Sequence, residues 1–131
     1  MQTEQVSELL AEVADRLILP RFGALKSADI HAKLPGDLVT VADREAEIEL
    51  ARVLRAEEPG VLVVGEEAVF TDPSSLEALP TAEHAWVIDP IDGTRNFARG
   101  SADFAVMLAE VRNARTVRGW IWQPIHARLY V

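Results

Sequence analysis

Asp89-Pro90-Ile91-Asp92-Gly93-Thr94 places two carboxylates three residues apart, directly behind the apolar run Trp86-Val87-Ile88. Proline cannot donate to a sheet ladder, so Pro90 predicts that a strand over 85–88 stops there and that both acids leave on a turn. A second apolar run, Val61-Leu62-Val63-Val64, also releases acids, in Gly65-Glu66-Glu67. Two strands that each end in carboxylates predict a cation site at the mouth of a sheet. Glu66, Asp89 and Asp92 are hard oxygen donors of the kind that Mg²⁺, Mn²⁺ and Ca²⁺ prefer. Two carboxylates ~4 Å apart at an effective dielectric of ~20 repel by about 4 kcal/mol, so such a cluster favours a divalent cation. His31, His84 and His126 are scattered without helical pair spacing, which argues against zinc.

Magnesium held by a few carboxylates keeps waters and open positions for phosphate, and two ions ~3.5–4 Å apart can activate water while clamping phosphoryl oxygens. Gly93 allows close backbone approach, and its N–H with that of Thr94 can cradle a phosphate if the two open a helix. Thr94 and Asp43 are a further candidate pair, a hydroxyl and a carboxylate able to orient a water. Spacing alone does not bring them together.

Plainer roles stand beside these. Asp43 is the third residue after Thr40, where a capping carboxylate needs no catalytic duty; the two roles are compatible. Asp92-Gly93 is also a common turn dipeptide, and Glu66-Glu67 also fits a solvated pair. Trp86, Trp120 and Trp122 suit core packing, and the histidines suit surface or packing positions. Arg95 and Arg99 flank the acidic turn, either attracting an anion or simply solvated.

The elements that must position these groups follow from pattern. Val6, Leu9, Leu10, Val13, Ala14, Leu17 and Ile18 predict an amphipathic helix over about 4–22, with Pro20 and Gly23 at its end. Residues 24–36 are mixed, with Pro35-Gly36 as a turn signal. A second helix opens at the Thr40–Asp43 capping box and runs to about Glu58, burying Ala42, Ala46, Leu50, Val53 and Leu54, before Pro59-Gly60 ends it. A strand over 61–64, a loop with a short helix over 68–83, and the strand 85–88 follow. Three further strands, over about 103–111, 116–123 and 127–131, turn near Asn113 and Pro124 and predict an antiparallel meander. The fold class expected is therefore α/β, an α+β layering of two N-terminal helices on a largely antiparallel sheet.

At 131 residues the chain reads as a single domain spanning 1–131. A formal charge of −8 argues against a nucleic-acid polymer as partner, yet leaves room for a small phosphorylated metabolite, because bound cations reverse the local field. With no cysteine there is no disulfide, zinc-thiolate site or cysteine nucleophile, which suits the cytoplasm. No apolar run approaches the ~18 residues of a membrane span, so no membrane partner is expected. Leu129-Tyr130-Val131 ends the chain within a predicted strand, which leads us to expect the first half of a larger fold and a homo-oligomer covering the edge.

Three motifs in order, Gly36-Asp37-Leu38-Val39-Thr40-Val41-Ala42-Asp43, Gly65-Glu66-Glu67, and Trp86 to Phe97 around the Asp-rich turn, resemble the N-terminal half of the inositol monophosphatase family. The resemblance implies a lithium-sensitive phosphoric monoester hydrolase using two or three Mg²⁺ ions, with Mn²⁺ as a substitute. It implies Glu66, Asp89, the Ile91 carbonyl and Asp92 as metal ligands, Asp92 being shared between ions. Asp43 with Thr94 would activate the nucleophilic water, Gly93 and Thr94 would hold phosphate, and Glu67 would support the ligands from behind. The family's further metal-binding Asp, in a Trp-Asp signature, has no counterpart here. The substrate implied is an inositol or sugar phosphate, with histidinol phosphate, a 3′-phosphonucleotide or fructose bisphosphate as alternatives. A chain that binds metal without turnover and self-associates is the reading from a different class.

Overall fold

The structure is a computed structural model that describes residues 1–34 and 37–131. The turn expected at Pro35-Gly36 lies outside the described residues. Helix α1 (Thr3–Val13) starts on a box in which the Gln2 N–H donates to Gln5 Oε1 at 2.7 Å. The chain stays helical to Arg21, widening into a π-type turn over Ala14–Ile18 and tightening into a 3₁₀ turn over Leu19–Arg21. Pro20 supplies the reason: it offers no N–H and its ring collides with the carbonyl of the preceding turn, so the regular ladder cannot continue through it. The helix expected over 4–22 is thus present, with an altered final third.

A two-stranded antiparallel hairpin, β1 (Ile30–Leu34) and β2 (Asp37–Thr40), occupies part of the stretch that the sequence left as mixed. It delivers the chain into α2 (Val41–Glu57), capped by Thr40 as expected. After α2 come β3 (Leu62–Gly65), the short helices α3 (Glu66–Thr71) and α4 (Ser74–Ala78), and β4 (His84–Asp92). Helix α5 (Thr94–Ala98) precedes the strands β5 (Ala105–Arg112), β6 (Arg115–Gln123) and β7 (Arg128–Tyr130). The second sheet runs β3-β4-β5-β6-β7, with β3 parallel to β4 and every later pair antiparallel; β5, β6 and β7 form the expected meander. Asn113 and Ala114, both at positive φ (49° and 60°), make the tight β5–β6 turn.

One boundary departs from expectation. The strand does not stop before Pro90 but continues to Asp92 across an irregularity between Asp89 and Asp92. A bulge suspends the regular ladder there, so a residue without an N–H is accommodated inside the strand.

The core lies between the helices and one face of the sheet. Val6, Leu10 and Val13 from α1 and Ala46, Leu50 and Leu54 from α2 pack against Trp86, Ile88, Val106 and Trp120. Trp86 and Trp120 are both buried, with ring centroids 6.0 Å apart, so two of the three tryptophans pack in the core as expected, and Trp122 packs against it. The opposite face carries a groove of about 400 Å³ lined by Val87, Met107, Ala109, Ile121 and Tyr130, with Asp89 at its end.

A polar network ties α1 to the sheet. Glu110 on β5, buried at 2 % exposure, accepts from Arg118 Nε and from Arg112 Nε at 3.1 Å. Arg118 also donates to Thr3 Oγ1 at 3.1 Å and to the Met1 carbonyl at 2.9 Å. Burial alone would raise the Glu110 carboxyl, but Arg118 and then Arg112 outweigh it and hold it below its ordinary value. Arg118→Ala leaves Arg112 on the buried Glu110 but removes a charged hydrogen bond and the ties to Thr3 and Met1, so it should cost about 1.5–3 kcal/mol in urea unfolding at pH 7. Because the Glu110 carboxyl is depressed, that cost is present above pH ~4.5 and shrinks as the pH falls through its folded value.

Candidate active site

Two turns and an irregular strand bring the acids together. Parallel pairing sets Gly65 opposite Ile88, so the residues that follow, Glu66 at the start of α3 and Asp89 before the β4 irregularity, lie side by side. Asp92 ends the same strand, and Gly93 turns the chain into α5 with φ +83°. A Cβ on Gly93 would sit 2.9 Å from the Asp103 carbonyl oxygen, so both the left-handed backbone and the packing demand glycine here. Beneath the turn, Phe97 packs edge-on to Phe104 at 5.1 Å and against Phe22 at 6.0 Å, which fixes α5 in place.

Asp43 is fully buried. Its Oδ2 accepts from the Thr40 N–H at 2.9 Å and from Thr40 Oγ1 at 2.6 Å, which is the capping box expected from sequence. Its other oxygen, Oδ1, accepts from Thr94 Oγ1 at 2.9 Å, joining residues 51 apart in the chain. The Ile91 carbonyl is a second acceptor for that hydroxyl, also at 2.9 Å. Burial raises the Asp43 carboxyl; hydrogen bonds from Thr40 and Thr94 pull it back, and the charge of Glu66 pushes it up again, leaving it above its ordinary value.

Asp89 is the most perturbed acid. Burial first, then its hydrogen bond with Glu66 and the charges of Glu66, Asp92 and Asp43, push it up to about 8. At neutral pH it therefore holds a proton that Glu66 shares. Its Oδ1 is buried and has no hydrogen-bond donor among the described residues.

These features test whether the residues fit a cation. An orphaned carboxylate oxygen, surrounded by three further acids that each disfavour its charge, is a donor set that lacks a positive centre. Among the described residues, no three acids are already gathered into a finished cage. The donor chemistry fits a hard divalent ion held by Glu66, Asp89 and Asp92.

Sequence reasoning missed Glu47. It lies one turn after Asp43 on α2, is 6 % exposed, and its carboxylate accepts from the Glu67 N–H at 2.7 Å and the Ala68 N–H at 2.8 Å. Asp43 and Glu47 four residues apart, both on the apolar face of a helix, were the legible signal. Glu67 thus meets the site through its backbone N–H. His84 pairs with Glu58 at 2.6 Å and His126 with Asp103 at 3.0 Å, while Arg95 and Arg99 are exposed on and beside α5.

The arrangement of two helices on one face of a mixed sheet is shared with solved structures. An inositol monophosphatase from Thermotoga maritima superposes with a TM-score of 0.82 at 28% identity, over 98% of this chain and 47% of its own. The sequence matches the Inositol monophosphatase family over residues 2–131, and the chain belongs to that family. It is 34% identical over 117 residues to an inositol-1-monophosphatase of Mesorhizobium japonicum, covering 89% of this chain and 42% of that protein. It is 28% identical over 127 residues to the 3′(2′),5′-bisphosphate nucleotidase CysQ of Escherichia coli K12, covering 97% of this chain and 50% of that protein. The chain spans about half the length of the curated relatives it matches. The family and these relatives are phosphoric monoester hydrolases. Among the described residues, no helix is long and apolar enough to cross a membrane.

Proposed function

We propose that this protein is a Mg²⁺-dependent phosphatase that hydrolyses a small phosphate monoester, an inositol or sugar phosphate, by direct attack of water. The observation that carries the reading is the buried Oδ1 of Asp89, without a hydrogen-bond donor among the described residues and set among Glu66, Asp92 and Asp43, next to the Thr94–Asp43 hydrogen bond. Glu66, Asp89, the Ile91 carbonyl and Asp92 would hold the ions, two or three Mg²⁺ with Mn²⁺ as a substitute. When bound, the ions lower the pKa of water and neutralise the phosphoryl oxygens.

The remaining duties fall on the chain. Thr94 Oγ1 donates to Asp43, which leaves its lone pairs to accept a hydrogen bond from the attacking water and fix its direction. The buried Asp43, locked by Thr40, keeps that hydroxyl from turning. The N–H groups of Gly93 and Thr94 hold the phosphate. The water oxygen bonds to phosphorus as one of its protons passes to Thr94 Oγ1 and that hydroxyl's own proton moves to Asp43 Oδ1. The ester P–O bond breaks, the alcohol oxygen leaves with the electron pair and takes a proton from solvent, and Asp43 returns its proton to solvent. A small phosphorylated metabolite is the partner, and the cytoplasm is the setting. Relatives that include a 3′(2′),5′-bisphosphate nucleotidase keep phosphonucleotides in the substrate panel, alongside fructose bisphosphate and histidinol phosphate.

Phosphate release from inositol-1-phosphate and that panel tests the proposal. Release is expected with Mg²⁺, abolished by a chelator and inhibited by lithium; no Mg²⁺-dependent release from any member would overturn it. The second reading, a self-associating chain that binds metal without turnover, is favoured by the exposed Ile121, Leu129, Tyr130 and Val131 beside the apolar groove. Assembly on sizing, combined with Mg²⁺ binding and no turnover, is its signature.

A further inference from the structure

Glu66 opens α3, and the N-cap of that helix is Gly65, which has no side chain to satisfy the first N–H groups. Glu47 does so from another helix, with one oxygen on the Glu67 N–H and the other on the Ala68 N–H. The fit leaves no room between them: a Cβ on Gly65 would lie 2.3 Å from the Glu47 carboxyl carbon. A nearly buried carboxylate thus occupies the place of a capping side chain, and glycine is the residue that admits it. One turn earlier on α2, Asp43 reaches the other strand-end turn through Thr94. A single helix face therefore grips both turns that carry the acids.

We propose that Glu47 is a positioning residue that sets Glu66 against Asp89 and thereby determines the affinity of the acid cluster for a divalent cation. The inference rests on the metal reading of Glu66 and Asp89 given above. Glu47 acts through the backbone of α3: a bidentate carboxylate fixes the helix start in rotation as well as position, and Glu66 is the first residue of that helix. Supporting groups of this kind typically alter metal affinity by about 10- to 100-fold. A glutamine at 47 keeps the size but replaces one acceptor with an NH₂ that faces a backbone N–H, so one of the two bonds is lost.

The test is a Mg²⁺ titration followed by calorimetry, without substrate, on the 131-residue chain and its variants. Glu47→Gln should bind Mg²⁺ about 10- to 100-fold more weakly. Gly65→Ala, which keeps every charge but pushes the carboxylate aside, should reproduce much of that loss. Glu66→Gln supplies a double-variant cycle: adding Glu47→Gln to it should cause almost no further loss, because Glu47 works through Glu66. General loosening of the fold would give additive effects and overturn the proposal, as would wild-type affinity in Glu47→Gln. Circular dichroism of each variant identifies any that fails to fold, in which case the Gly65→Ala titration decides. Failure of the unsubstituted chain to bind Mg²⁺ would refute the metal reading itself, a separate result from normal binding that is indifferent to Glu47.

Discussion

Asp89→Asn is expected to stabilise the metal-free protein at pH 8 and to abolish its response to Mg²⁺. Asp89 sits in the folded chain with its carboxyl pushed up to about 8, first by burial and then by Glu66, Asp92 and Asp43. In the unfolded chain it ionises near its ordinary value of 3.8. Between these limits the folded state holds a proton that the unfolded state has released. Stability of the metal-free protein therefore falls as the pH rises from about 4 to about 8. Each unit of pKa difference is worth about 1.4 kcal/mol. Solvent reaches part of the site and screens it, so a net fall on the order of 2–3 kcal/mol is expected rather than the full product. Asparagine is neutral at every pH, matches the shape and can still donate to Glu66, so it removes the fall. Mg²⁺ acts in the opposite sense on the parent: a ligand at 100 times its Kd adds about 2.7 kcal/mol. Thermal melts of chelator-treated protein at pH 5 and pH 8, with and without Mg²⁺, check both halves. A variant that kept the parent's pH slope and its Mg²⁺ shift would show that Asp89 is not the centre of the cluster.

Thr94→Val should lower kcat by about 10²- to 10⁴-fold, the range associated with losing a positioned proton acceptor, while Mg²⁺ affinity changes only a few-fold. Valine copies the branching of threonine and leaves the packing of α5 intact. It deletes the donor to Asp43 Oδ1, which weakens the satisfaction of a buried carboxylate oxygen at a cost of about 1–3 kcal/mol in stability. Thr94→Ser restores the hydroxyl and should recover most of the turnover. Steady-state kinetics at saturating Mg²⁺, paired with ion titration, separate a water-orienting role from a metal-holding one. Parent-like kcat in Thr94→Val would remove the Thr94–Asp43 pair from the proposed chemistry.

Much of the fold was legible because its signals are local. Thr40 and Asp43 announce the start of α2, and the capping bonds are present. Asn113 marks the β5–β6 turn because asparagine tolerates positive φ. The β1–β2 hairpin was missed although Ile30-His31-Ala32-Lys33-Leu34 alternates apolar and polar residues, a period of two too brief to stand out beside the turn signal that follows it. Pro90 misled for a definite reason: the rule that proline ends a strand holds for a regular ladder, and a bulge exempts it.

The sequence by itself determined the acid inventory, the cap of α2, the meander and the family, because each depends on neighbours within a few residues or on motifs kept in order. Only the tertiary structure decided which acids share a charge environment, that Thr94 reaches Asp43 across 51 positions, and that Glu47 stands in for the side chain Gly65 lacks. Those contacts depend on the parallel register of β3 on β4 and on where α2 lies across their ends. Register and helix placement are set by how the whole core packs, and no local spacing encodes them.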